Sequence, residues 1–97
     1  MIKITGKLKH GLKIGPDTHL DFEMRPHLAG DMFDAEGVAH PGSQPMTYNA
    51  ALAGLKVVRL GTLSGPIELA ELRKLHPEDV KILVEKSEEV QRAGKPE

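Results

Sequence analysis

Residues 60–79, LGTLSGPIELAELRKLHPED, decide how the chain is read, because two glycines and two prolines there deliver two consecutive helix starts. Gly61 and Gly65 supply backbone freedom, and Pro66 fixes φ at the opening of a short helix that runs to Lys74. Leu60 and Leu63 are then held in a tether between helices. Leu69, Leu72 and Leu75 recur every third residue and place an apolar stripe on one helix face. Pro77 repeats the device. His76 stands at a capping position, and Glu78 and Asp79 fall in a first turn, where free N–H groups and the helix dipole favour carboxylates.

Downstream, the pattern predicts a last helix from Pro77 to about Ala93. Val80, Leu83, Val84, Ser87 and Val90 form its narrow buried face, and Lys81, Glu85, Lys86, Glu88, Glu89 and Arg92 its wet one. Gly94 fits the position just beyond a helix end, and residues 94–97 read as a frayed tail. Upstream, Met46 to Arg59 reads as helix, with Thr47 as N-cap, Tyr48, Leu52, Leu55 and Val58 at helical spacing, and Ala50, Ala51 and Ala53 as strong helix formers. Lys56 and Arg59 are its only charges, so it is expected to be central and largely buried. Before it, GVAHPGSQP (residues 37–45) is too rich in Gly and Pro for regular structure and reads as a mobile loop. Residues 27–36 carry a weak helical pattern through Leu28, Met32 and Phe33.

The first 25 residues follow a different period. Ile2, Ile4 and Leu8 alternate with lysines and Thr5, and Leu20, Phe22 and Met24 alternate with His19, Asp21, Glu23 and Arg25. Around the Gly15-Pro16-Asp17 cluster these two runs form an antiparallel hairpin, with Gly6 marking a bulge. The fold class is therefore α+β: an N-terminal antiparallel β-hairpin (1–25), a short helix (27–36), a loop (37–45) and a helical part (46–93), three to four helices in one domain.

Composition narrows function by exclusion. Thirteen basic and 14 acidic residues, spread along the chain, leave a net charge of −1 and no basic stripe for nucleic acid. No cysteine is present, so there is neither a disulfide framework nor a thiolate metal site. No segment approaches the about 18 apolar residues of a membrane span, and no apolar run of a signal peptide opens the chain, so a cytoplasmic location is expected. Aromatic residues are only 3% of the chain, so the core is aliphatic and thin, and weak self-association is one way to gain burial.

The polar residues form no recognisable site. His10, His19, His27, His40 and His76 are scattered singly, without the i, i+4 spacing of a zinc pair. Asp31, Asp34 and Glu36 lack the ligand spacing of a calcium loop and read as a solvated helix start. The 61–66 loop has no Lys-Ser/Thr pair for phosphate, and Ser43, Ser64 and Ser87 lie in no nucleophile elbow. No catalytic residue, metal ligand or cofactor is assigned.

The hairpin, the Ala/Leu-rich helix and the run Leu60-Gly61-Thr62-Leu63-Ser64-Gly65-Pro66, followed by Leu69, Leu72, Leu75 and Asp79, resemble the small tail assembly chaperones of Mu-like, contractile-tailed phages and prophages. The stretch His27 to Gln44 departs from that pattern. The resemblance implies a protein that is not an enzyme. It implies a helper in the bacterial cytoplasm, absent from the mature virion, that keeps the helical tape measure protein soluble until the tail tube forms. It also implies a longer form, made by frameshifting, that recruits tail tube protein; Gly94-Lys95 is compatible with a slippery heptamer in the coding DNA. Leu52, Leu55, Leu63, Leu69 and Leu72 are the candidates for the partner surface or its support. Two other readings remain at this point: a structural tail or baseplate component, and a small histidine-based metal-binding protein.

Overall fold

The computed structural model describes residues 2–93, and the expectations for Gly94 and the tail after it lie outside the described residues. Eight elements follow in the order β1 (Ile4–Ile14), β2 (Asp17–Met24), α1 (Ala29–Glu36), α2 (Pro45–Lys56), β3 (Val57–Leu60), β4 (Leu63–Ser64), α3 (Leu69–Leu72) and α4 (Pro77–Ala93). The N-terminal hairpin and the four helices match the α+β expectation. The helical part, expected as helices joined by a tether, contains strands as well. A second hairpin, β3 and β4, interrupts it and extends the sheet to four antiparallel strands in the order β1-β2-β3-β4.

The break comes at Val57. Helical spacing continues on paper to Val58 and Arg59, but the β-branched pair Val57-Val58 favours an extended backbone and pairs with β2 instead, Arg59 opposite Glu23 and Leu60 opposite Phe22. Leu60 and Leu63 are thus facing partners across a two-residue turn rather than residues of a tether. Gly61, at φ 60°, takes the left-handed position that this turn requires. The turn also folds over His19, which is buried rather than on the strand surface as the alternation suggested; a Cβ on Gly61 would strike its ring.

Two further expectations fail locally. Gly6 marks no bulge: it pairs regularly with Phe22, and the missing side chain is what lets the Phe22 ring lie flat across it. The irregularity falls later, between Lys7 and Leu12, where Lys7 pairs with Asp21 and Leu12 with His19. Pro66 opens no helix either. Residues 65–68 stay outside any helix, tied down by Gly65 N–H donating to Val58 O (2.8 Å) and Ile67 N–H to Gly54 O (3.0 Å), and α3 shrinks to one turn at Leu69–Leu72.

Pro45, not Thr47, starts α2, with Pro at the first helical position and Gln44 before it. Ala50, Ala51, Ala53 and Gly54 give this helix a thin buried face on which α1, α3 and α4 close, as expected for a central helix. The loop before it is stitched by its own hydrogen bonds, His40 Nδ1 accepting from Gly42 and Ser43 N–H. The core runs through Leu8, Leu12, Phe22, Met24, Ala53, Val57, Leu60, Ile67, Leu72, Leu75, Leu83 and Val90, joining the sheet to α2, α3 and α4. On α4 the buried positions are Asp79, Leu83, Ser87 and Val90, one narrow stripe on a long, otherwise polar helix.

Candidate partner-binding surface

Helix α3 is a short ridge between two apolar grooves. On one side, Val38, Ala51, Leu55, Ile67, Leu69 and Ala70 line a groove of about 420 Å³ with Asp34 and Glu68 at its rim. On the other, Met46, Leu72, Leu75, Pro77, Val80 and Val84 line one of about 620 Å³, rimmed by Arg73, Lys81 and Glu85. Leu69 lines the first groove and Leu72 the second, so the two leucines, neighbours on one helix face, form the ridge that separates the grooves.

The five leucines singled out from sequence are distributed unevenly over this surface. Leu55 and Leu69 share the first groove. Leu72 forms the floor of the second and is nearly fully buried, so it supports the surface from the core side. Leu63 is half-buried on β4, packed against the core, and Leu52 is half-buried on α2; neither lines the two grooves.

The most exposed large apolar side chain is Met46, 81% exposed at the second groove; Leu28 (75%) and Phe33 (70%) follow, with Met32 and Val38 also open to water, all four in the stretch that departs from the family pattern. The weak helical pattern through Leu28, Met32 and Phe33 does not say which way those side chains face. In the structure the buried residue of α1 is Ala35, and the larger side chains face out. The available signal was the alanine pair Ala35 and Ala39, small enough for close approach to α2 and both buried.

Polar contacts fix α1 in that orientation. Arg25, at the end of β2, grips Asp31 with two hydrogen bonds of 2.8 and 3.0 Å and reaches Leu55 O at 3.2 Å. Asp31 also accepts from Leu28 N–H (2.9 Å). The Arg25 guanidinium holds the Asp31 carboxyl below its ordinary range, so the pair stays ionised. Asp31 is therefore a clamp and not a merely solvated carboxylate. His27, next in the chain, donates its backbone N–H to Gln91 Oε1, and burial lowers its ring pKa, with Lys56 adding to the effect.

Beneath these contacts Lys56 is wholly buried, donating from Nζ to Ser87 O (2.7 Å) and Ser87 Oγ (2.9 Å). Burial brings its pKa down to about 8. A lysine of lowered pKa against a serine hydroxyl has the make-up of a nucleophile with its base, but Ser87 is buried mid-helix and lines neither groove, so the pair is a structural contact.

At the other end of α4, Asp79 was expected only to stabilise a helix start. Instead it is fully buried and accepts from three consecutive N–H groups of β1, those of Lys9 (2.7 Å), His10 (3.1 Å) and Gly11 (2.8 Å). Burial alone would raise its pKa; the bonds from Gly11, Lys9 and His10 outweigh it and hold the carboxylate below its ordinary value. His76 meets the capping expectation, its Nδ1 accepting from Glu78 N–H at 3.1 Å.

Among the described residues no helix is long and apolar enough to cross a membrane. A family model described as "Tail assembly protein gp41", the Mu type, matches residues 8–97. The Mu-like prophage FluMu protein gp41 of Haemophilus influenzae is 32% identical over 84 residues, an alignment covering 75% of this chain and 66% of that protein, so the chain spans about two thirds of the relative's length. No solved structure matches the chain.

Proposed function

The chain belongs to the Mu-type tail assembly protein gp41 family, and from that premise we propose that it is a tail assembly chaperone, which binds the tape measure protein in the host cytoplasm and keeps it soluble until the tail tube forms. The observation that carries this reading is the pair of apolar grooves flanking α3, open to water and floored by Leu55, Leu69, Leu72 and Val84. Grooves of this kind take the apolar face of a helix, read through anchors spaced three and four residues apart. Met46 at the mouth of one, a flexible unbranched side chain, can adapt to varied side chains, as a coat repeated along one long chain requires, and Val38 adds apolar wall to the other. Individually weak contacts then add through multiplicity. No chemical step is needed for such a role, and the protein is proposed to act by reversible binding, without cofactor, and to leave before the virion is complete.

Co-expression with the tape measure protein of the same phage, followed by affinity capture and light scattering, tests this. A soluble complex with many copies of this chain per partner is the expected result. Met46→Glu and Val38→Asp, both at exposed positions, should remove capture while circular dichroism stays unchanged. A partner that stays insoluble beside a monodisperse chain would refute the chaperone role, and detection of the chain in purified particles by mass spectrometry would point to a structural tail component.

A further inference from the structure

The histidines that look scattered in sequence are not all scattered in space. The rings of His10 and His76 stack with centroids 3.8 Å apart and planes 19° from parallel. Glu78 completes the group, with Oε1 3.0 Å from His10 Nε2 and 3.7 Å from His76 Nδ1. One ligand atom from each residue falls within 4.8 Å of the others.

We propose that His10, His76 and Glu78 form a binding site for a divalent transition-metal ion of the Zn(II), Ni(II) or Cu(II) type, which clips the irregular part of β1 to the start of α4. Two imidazoles and a carboxylate suit these borderline ions, whereas Mg(II) and Ca(II) call for oxygen ligands throughout. With metal–ligand bonds of about 2.1 Å, two ligands of a tetrahedral ion stand about 3.4 Å apart. The Glu78–His10 distance is already shorter and the Glu78–His76 distance slightly longer, and side-chain rotation that opens the ring stack and exchanges the Glu78 N–H on His76 Nδ1 for the ion turns both in-plane lone pairs toward it.

The backbone is fixed by a separate device. Asp79, buried between the two elements, holds the N–H groups of Lys9, His10 and Gly11, so two segments nearly 70 residues apart in sequence are locked in register before any ion arrives. That pre-organisation lowers the cost of assembling ligands from distant parts of the chain. The charged neighbours are Lys9, whose Nζ lies 3.2 Å from Glu78 Oε2, and Lys13 and Lys74 on the walls of the adjoining cavity. Lys9 engages the second carboxylate oxygen and leaves Oε1 to the imidazoles. The lysines oppose a cation at long range, an opposition that salt screens at this exposed site.

The test uses the full chain, freed of metal with chelator and titrated with ZnCl2 and NiCl2 by calorimetry and thermal unfolding at pH 7.5. Zinc at 1 mM should raise the unfolding midpoint by about 5 °C or more, reversed by EDTA. His10→Ala and Glu78→Gln should each weaken binding by about tenfold or more, a loss of about 1.4 kcal/mol. His76→Asn should do the same while keeping a side chain able to cap α4. His40→Ala, in the distant 37–44 loop, serves as the control and should bind as the parent does. No heat and no midpoint shift up to 1 mM metal would overturn the proposal, as would binding that survives the His10 and His76 substitutions or an equal response to MgCl2.

Discussion

Helix α4 meets a buried charge at two places, its own Asp79 in the first turn and Lys56 of α2 at Ser87, and the two are treated in opposite ways. At the N-terminal end Asp79 receives three backbone N–H groups from β1, and its ionised form is favoured. Towards the C-terminal half Lys56 finds only the carbonyl and hydroxyl of Ser87, and its charged form is disfavoured, with a pKa of about 8. The first end has its desolvation offset by dedicated donors and behaves as a rivet. The second keeps a charge that its surroundings only partly satisfy, under a helix, α1, whose large side chains face water. The Asp79 contact is thus the firmer of the two, and the Lys56 contact the softer.

The largest break in that contrast comes from Asp79→Asn. An amide cannot accept from three N–H groups at once, so urea unfolding followed by circular dichroism should show a loss of about 3–5 kcal/mol. Its pH dependence carries a definite sign. Because the folded pKa lies below the ordinary 3.8, Asp79 contributes fully above that value, and the contribution disappears as pH falls through the folded pKa. The gap between parent and Asp79→Asn should therefore narrow below pH 4.

Lys56→Met should move stability the other way, raising it by about 1–3 kcal/mol, since an apolar side chain of similar length replaces an incompletely paired charge. The parent also offers its own test. Between pH 8 and 10.5 the unfolded chain holds a proton on Lys56 that the folded chain has released, so stability should climb with pH across that window, by up to about 3 kcal/mol. In the Lys56→Met variant that rise should be missing, and an equal rise in both would place its source elsewhere.

The smallest effect sharpens the softer side. Phe33→Ser and Met46→Ser remove side chains that the fold leaves in water, and each should change stability by less than about 0.5 kcal/mol in the same unfolding assay. A loss of several kcal/mol at either position would mean that it is covered in solution, and light scattering would then show whether a second copy covers it.

Much of this was legible from residue patterns. Period-two alternation located the first hairpin, and the Val80–Val90 stripe with Pro77 located α4, because local periodicity and turn chemistry there agree with the tertiary contacts. The second hairpin was not legible: Val57 to Leu60 continues the spacing of α2, and only pairing with β2 makes it a strand. The same holds for the candidate surface. Leu55 and Leu69 do converge on one groove, but the division of Leu69 from Leu72 depends on the elements packed on either side of α3, and the outward face of α1 depends on the Arg25–Asp31 clamp. The meeting of His10 with His76 and the burial of Asp79 are long-range outcomes with no local signature.

The grip of Asp79 on β1 has a further consequence for crowding. β1 is an edge strand, and an edge strand with free donors is a template on which another chain can add itself. By occupying the N–H groups of Lys9, His10 and Gly11 from within the same molecule, one carboxylate closes the middle of that edge to a neighbour. In the coating role proposed above, many copies along a shared partner would bring their edges close together at high local concentration. In such a row, the difference between a reversible coat and a fused β-aggregate rests partly on this single side chain.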